Sequence, residues 1–261
     1  MRTGGWTRPG AGRRAAVAAT LLPLVAAAQR PISTSTRVTA LPPAWEVIDR
    51  HLEAAGGRAA FLKLASREVW ARYEIPARHL SGDLRVLSSR PDHLLIKTEY
   101  PELGVAVMGF NGSVGWTADP GSRPTLVKGD ALADLHADAL FDRYDEENLV
   151  SAETIEIADF EGRRCFKLRI VRLPDRESFD YFDMETGLFA GSVAHRATEK
   201  GPVTMLTVVS HYQITDGVRL PHLIRIRMGG VEQIVTVMRV THNHVDAAVF
   251  DLPTKLRGPG P

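Results

Sequence analysis

The sequence predicts a mainly β chain with helices: a large curved antiparallel sheet, or incomplete barrel, accompanied by about three helices. Three observations carry this. From Ser66 onward, apolar and polar residues alternate with a period of two in about eleven runs. The runs are punctuated by turn pairs at meander spacing, namely Asn111-Gly112, Glu161-Gly162, Thr186-Gly187, Asp216-Gly217 and Gly229-Gly230. Helical periodicity appears in only three places, two before Ser66 and one after Asp130. A chain of 261 residues, 44% hydrophobic and 24% charged, suits one domain with a sizeable core.

The elements follow in order. Residues 1–28 read as a secretory signal peptide: Arg13-Arg14 precede a short apolar run with small residues at Ala26 and Ala28, placing cleavage before Gln29. That run is shorter than the roughly 20 residues a membrane span needs. The paired arginines lack the rest of a twin-arginine signature, so the export route stays open. Four arginines (Arg2, Arg8, Arg13, Arg14) and no acids lie in the leader, so its loss takes the formal net charge from +1 to −3. A weakly acidic chain offers no concentrated basic face for nucleic acid. Residues 29–44 are Ser/Thr/Pro-rich and read as a linker. In PPAWEVIDRHLEAAGG, Trp45, Ile48 and Leu52 recur on one helical face that Gly56-Gly57 end, and RAAFLKL suggests a short second helix.

Strands then read EVWARYEI, with one face dry and one mostly wet, followed by GDLRVLSS, HLLIKTEY, GVAVMGF and VGWTAD. Asn111-Gly112 predicts a hairpin with positive φ at both central residues, and Gly115 a bulge or a close backbone approach. Asp130 is placed to cap a helix on which Leu132, Leu135 and Ala139 share a face. Seven more strands run from Thr154 to Val245, and residues 254–261 read as a disordered tail.

No set of residues converges on catalysis. His242-Asn243-His244 with Asp246 is the best metal candidate, but ligands so close in sequence seldom surround one ion, and the triplet reads as a polar strand terminus. His211 and His222 flank the Asp216-Gly217 turn and read as solvated or hydrogen-bonded. Asp142, Asp145, Glu146 and Glu147 lack the spacing and central Gly of a calcium loop. No serine sits in a G-x-S-x-G elbow. Cys165, the one cysteine, has no base beside it and excludes an internal disulfide. Gly109, Gly112 and Gly115 match neither a dinucleotide fingerprint nor a phosphate loop. The expectation is a non-enzyme without cofactor or metal.

What remains is a surplus of apolar strand faces. GVAVMGF is apolar on both sides, and PVTMLTVVSHY and EQIVTVMRV share the feature. Helices or a ligand must cover the second face, and three helices leave a groove partly available. Flexible Met205, Met228 and Met238 suit an adaptable cavity.

The order of motifs resembles a family. A helix ending EAAGG, a strand closing on IPA, the hairpin GFNGSVGW, the pair EGRRCFKLRI and FDYFDMETGL, the turn TDGVRLPHLIR and a closing VFDLP follow in sequence over Trp45–Pro253. In that order they are similar to periplasmic outer-membrane lipoprotein-sorting proteins, relatives of the carrier LolA. The resemblance implies one half-barrel domain over residues 45–253, with helices lying over its open side and an apolar cavity for lipoprotein acyl chains. It makes the helices around Trp45–Ala55 and Asp130–Phe141 the lid. Groove and lid candidates are then Trp45, Ile48, Leu52, Leu132 and Leu135, with Met108, Phe110 and Trp116 beneath them or at the rim. No arginine here matches the one by which that carrier opens and closes. The expected function is a periplasmic carrier of lipid or lipoprotein acyl chains, exchanging with a membrane-associated donor or acceptor protein. The alternative is a non-catalytic module that docks such a protein in the same groove, for which a filled interior would speak. A hydrolase ranks last.

Overall fold

The computed structural model of the protein describes residues 40–198 and 201–256. The leader, most of the linker and the Gly/Pro end of the tail lie outside the described residues. Two short helices come first, α1 (Ala44–Ala54) and α2 (Arg58–Phe61). Six strands follow: β1 (Ser66–Ile75), β2 (Leu80–Ser89), β3 (His93–Tyr100), β4 (Gly104–Asn111), β5 (Gly115–Ala118) and β6 (Thr125–Val127). Helix α3 (Gly129–Ala139) leads to β7 (Leu149–Phe160), β8 (Arg163–Arg172), β9 (Arg176–Asp183) and β10 (Phe189–Arg196). The chain closes with β11 (Val203–Thr215), β12 (Val218–Met228) and β13 (Val231–His242).

All thirteen strands form one antiparallel sheet in the order β6-β5-β4-β3-β2-β1-β13-β12-β11-β10-β9-β8-β7. The chain starts in the middle, winds out to one edge and crosses once through α3. It then winds back from the other edge until β13 pairs with β1. The edge strands β6 and β7 do not pair, so the sheet is open, as the sequence predicts. Strand β6 is the element that escaped the periodicity; three residues are too few to show a period of two.

Alternation divides the side chains between two faces. On the concave face, Ala44, Val47 and Ile48 of α1 pack on Leu168, Ile170 and Phe182. Further along that face, Leu135 and Ala139 of α3 pack on Leu94 and Phe110. On the convex face the segment after β13 covers the sheet, with Phe250 packed among Leu87, Leu95 and Trp116. Leu256, from a short 3₁₀ turn at Thr254–Leu256, joins that cluster.

Several local expectations are corrected. The Asn111-Gly112 turn has positive φ only at Gly112 (87°), the pattern of a type II′ turn. Asn111 stays in the strand, and its Oδ1 accepts from the N–H groups of Ser113 and Val114 at 3.2 and 2.9 Å. Asp130 does not cap α3, since Lys128 holds that position; its carboxylate instead accepts from Arg176 at 2.7 Å. The expected wet face of β1 is partly dry. Glu68 is buried and ion-paired with Arg85, while Arg239 and Arg85 lie over the Trp70 ring at 3.7 and 5.5 Å. A register shift against β13 at Trp70/Ala71 breaks the simple alternation.

Candidate functional site

Helices fill only part of the concave side. Over β3 and β4 the α3 cluster packs directly on the sheet, but over β10–β12 a cavity of about 510 Å³ remains. Its floor is apolar: Phe189 from β10, Met205 and Val209 from β11, and Ile224 and Ile226 from β12. The roof is built from Leu52 of α1 and Ala55 just after it, the α2 segment with Phe61 and Leu62, and the strap Phe141–Asp145 that follows α3.

A buried polar network fixes the strap. Asp180, fully buried on β9, accepts from Arg172 at 2.6 Å, from Tyr144 at 2.8 Å and from Ser178 at 2.8 Å. Arg172 also donates to Ser178 at 2.7 Å and to the carbonyl of Arg143 at 3.3 Å. Burial alone would raise the Asp180 carboxyl, but the adjoining Arg172 and Arg143 outweigh it and hold it below the usual carboxylate range. Burial, followed by the Asp180 charge, pushes Tyr144 well above its ordinary value. On the other side of the strap Arg90 ion-pairs with Asp142 and donates to the carbonyls of Leu64 (2.7 Å) and Phe61 (3.0 Å). One guanidinium thus ties roof segments from two parts of the chain.

His51 sits at the junction of roof and floor. Its Nδ1 accepts from the Phe189 N–H at 3.2 Å, and its ring meets Phe182 and Tyr144 at 5.3 and 5.5 Å. Burial pushes its pKa down to about 4, against the opposing pull of a backbone hydrogen bond to Gly187 and the Asp180 charge. The imidazole is therefore neutral at pH 7.

The eight candidates read from the sequence are dispersed. Leu52 lines the cavity. Ile48 is fully buried beneath α1, and Trp45 faces outward at 36% exposure. Met108, Phe110, Leu132 and Leu135 belong to the packed α3 cluster, away from the cavity wall. Trp116 is on the convex face under Phe250. Of the three methionines, Met205 lines the cavity, whereas Met238 is 73% exposed. The run PVTMLTVVSHY, singled out for its surplus apolar face, supplies Met205, Val209 and Tyr212 to the wall. The arginines of the cavity gave no such signal, because strand and loop arginines read as ordinary surface.

The polar candidates are also apart. His242 is buried with Nδ1 2.8 Å from Asp216 Oδ2, Asn243 turns at φ 63°, and His244 is exposed. His211, at φ 56°, is exposed beside Ser210, while His222 is buried against the Leu220 carbonyl. Burial pushes the Cys165 thiol up to about 11, which leaves it unreactive. Among the described residues no three His, Cys, Asp or Glu side chains are grouped to hold a metal ion, and no helix is long and apolar enough to cross a membrane.

No protein-family model matches the sequence, and no curated protein is similar to it. Solved structures share its fold. A DUF1329 family protein from Desulfovibrio piger superposes with a TM-score of 0.56 at 11% identity, over 81% of this chain and 98% of that one. A LolA superfamily protein from Nitrosomonas europaea gives 0.53 at 11% identity, over 81% and 99%. An outer membrane lipoprotein-sorting protein domain from Vibrio parahaemolyticus gives 0.52 at 11% identity, over 79% and 95%. At such identity the likeness concerns fold alone, and there it is plain: the chain has the LolA-like architecture of an open, curved antiparallel sheet with helices on its concave side.

Proposed function

We propose that this protein binds a lipid, or the acyl chains of a lipoprotein, between the sheet and its helical roof, and that it works in the periplasm after losing residues 1–28. The observation that carries the reading is the cavity of about 510 Å³ over an apolar floor. That volume lies within the roughly 300–1,000 Å³ of small-molecule sites. About ten methylenes buried there contribute about 8 kcal/mol. This matches the roughly 8 kcal/mol of micromolar binding, before the cost of immobilising the ligand. The likeness in fold to a lipoprotein-sorting domain supports the same class of passenger. A docking module without passenger would be better served by a filled interior. Dispersal of the histidines, the buried thiol and the paired acids supports binding rather than catalysis.

Native mass spectrometry of the chain, purified from an envelope fraction in mild detergent, tests this. Adducts with lipid or acylated-peptide masses are expected. They should disappear in Met205→Trp and Ile224→Trp, which fill the floor, while both variants keep a cooperative thermal transition. A bare mass that stays bare after addition of phospholipid and triacylated peptide overturns the reading.

A further inference from the structure

The lining of the cavity carries a second chemistry. Six arginines line it against three aspartates. The aspartates are taken: Asp142 by Arg90, Asp138 by Arg196 at 2.5 Å, and Asp145 by Arg58 at 3.6 Å. Asp180, behind the strap, is held by Arg172 at 2.6 Å. Three guanidinium groups, those of Arg67, Arg143 and Arg219, have no ion pair or side-chain hydrogen bond among the described residues.

Two of the three are neighbours. Arg67 is half-buried in the wall with its Cζ 5.4 Å from the centre of the Phe141 ring. Arg90 approaches the same ring at 5.1 Å. Burial lowers the pKa of Arg67, and the adjacent charge of Arg143 lowers it further. The Nε of Arg143 is shut off from solvent and has no partner. Asp180, the acid whose carboxyl Arg143 helps to lower, is already held by Arg172, so this pair of like charges has no ion-pair partner of its own among the described residues, and a single anion between them would relieve both the repulsion and the orphaned donor. Guanidinium forks match carboxylate and phosphate oxygens bidentately, so an oxyanion is the chemistry that fits. The same cavity has the apolar floor of Met205, Val209, Ile224 and Ile226.

We infer that Arg67 and Arg143 form a receptor for the carboxylate or phosphate head of an amphiphile whose chain lies on the β11–β12 floor. The inference rests on the lipid-binding reading and sharpens it: the passenger is an anionic amphiphile, held head-in beneath the strap. Arg219 adds positive charge to the same cavity.

The test uses one chain length with different heads. Displacement of a fluorescent fatty-acid probe from the full chain is measured with oleate, oleoyl lysophosphatidate, monoolein and oleyl alcohol, and separately with inorganic phosphate. The two anionic amphiphiles are expected to bind about tenfold or more tightly than the two neutral ones, as suits a charge-assisted bidentate contact. Raising salt should narrow the gap less than it would for an exposed pair, because both guanidinium groups are partly buried. Arg67→Gln and Arg143→Gln should each cut the preference to under about threefold, and Arg67→Lys should retain more of it than Arg67→Gln. The head preference of the unmodified chain is a readout that needs no variant to fold. Equal binding of all four amphiphiles overturns the anion receptor and leaves the lipid reading standing. Binding of none overturns the lipid reading itself. Phosphate bound in an Arg67-dependent way while no amphiphile binds keeps the oxyanion but overturns a lipid as its source.

Discussion

A Cβ on Gly109 would press into the six-membered ring of Trp116, too close to its Cζ2, Cε2 and Cη2 atoms to fit. The ring cannot give way, being 1% exposed and wedged among Leu87, Leu95 and Phe250. A Cβ on Gly115 meets the methyl ends of Leu132 and Leu135 at 2.8 and 2.9 Å, and the Val127 Cβ at 3.3 Å. Gly109→Ala should therefore destabilise the fold by about 2–3 kcal/mol and Gly115→Ala by about 1 kcal/mol. Adding Trp116→Phe to Gly109→Ala should cost less than the two changes summed, because phenylalanine vacates the contested atoms. Urea unfolding of the four variants checks this; additive costs would mean that the ring is not what the glycine accommodates. His51 gives a pH-dependent counterpart. Its folded pKa of about 4 lies below the ordinary 6.5, so between those values the unfolded chain binds a proton that the native chain refuses. Stability from this group is complete above about pH 6.5 and is lost as pH falls toward 4, by about 3 kcal/mol. The unfolding free energy of the native chain minus that of His51→Gln should fall by this amount from pH 7.5 to pH 4, and a flat difference would contradict the burial of a neutral imidazole. Neither residue was legible in full. The glycine spacing indicates close approach near Trp116, but GVAVMGF is apolar on both sides, so the pattern could not say which face takes the indole. His51 reads as a polar position of an amphipathic helix, and its burial comes from partners remote in sequence, Tyr144, Phe182 and Phe189.

Most elements were legible because alternation and tight turns are local. The turn pairs Asp216-Gly217 and Gly229-Gly230 have both residues at positive φ, as their sequence demands. The strap Phe141–Asp145 was not legible, since its conformation depends on partners 29 and 36 residues away on β8 and β9. Its acids read as a solvated connection, yet Tyr144 reaches a fully buried Asp180. Because every member of that network is paired, removing one partner should cost far more than any exposed ion pair contributes. Asp180→Asn is expected to lower stability by about 3–5 kcal/mol, through the uncompensated Arg172 it leaves behind. Tyr144→Phe should lower it by about 1–2 kcal/mol. Hydrogen exchange separates a local from a global effect. Tyr144→Phe should speed exchange in residues 141–145 and leave α3 protected, whereas equal loss across both would mean that strap and helix open together.

Across the whole molecule the crossover through α3 divides the concave side into two unequal jobs. The resemblance to lipoprotein-sorting proteins anticipated the open sheet and its helices, but a period-two pattern cannot distinguish an apolar face covered by a helix from one left for a ligand. Over β3 and β4 Phe110, Met108, Leu132 and Leu135 complete a packed core, and over β10–β12 the same kind of apolar face is roofed at a distance that leaves a cavity. A ligand that fills only the second half should stabilise the chain by mass action, about 2.7 kcal/mol at a concentration one hundred times its Kd. The gain should be uneven. Amides of β11, β12, α2 and the strap should gain hydrogen-exchange protection on adding oleate, while those of α3, β3 and β4 should not change. Protection gained chiefly around Met108 and Phe110 would move the site to the α3 half and require that helix to lift. Protection confined to the roof and the β11–β12 floor would fit a passenger entering beneath the strap, with the α3 half serving as the fixed wall against which the other half opens.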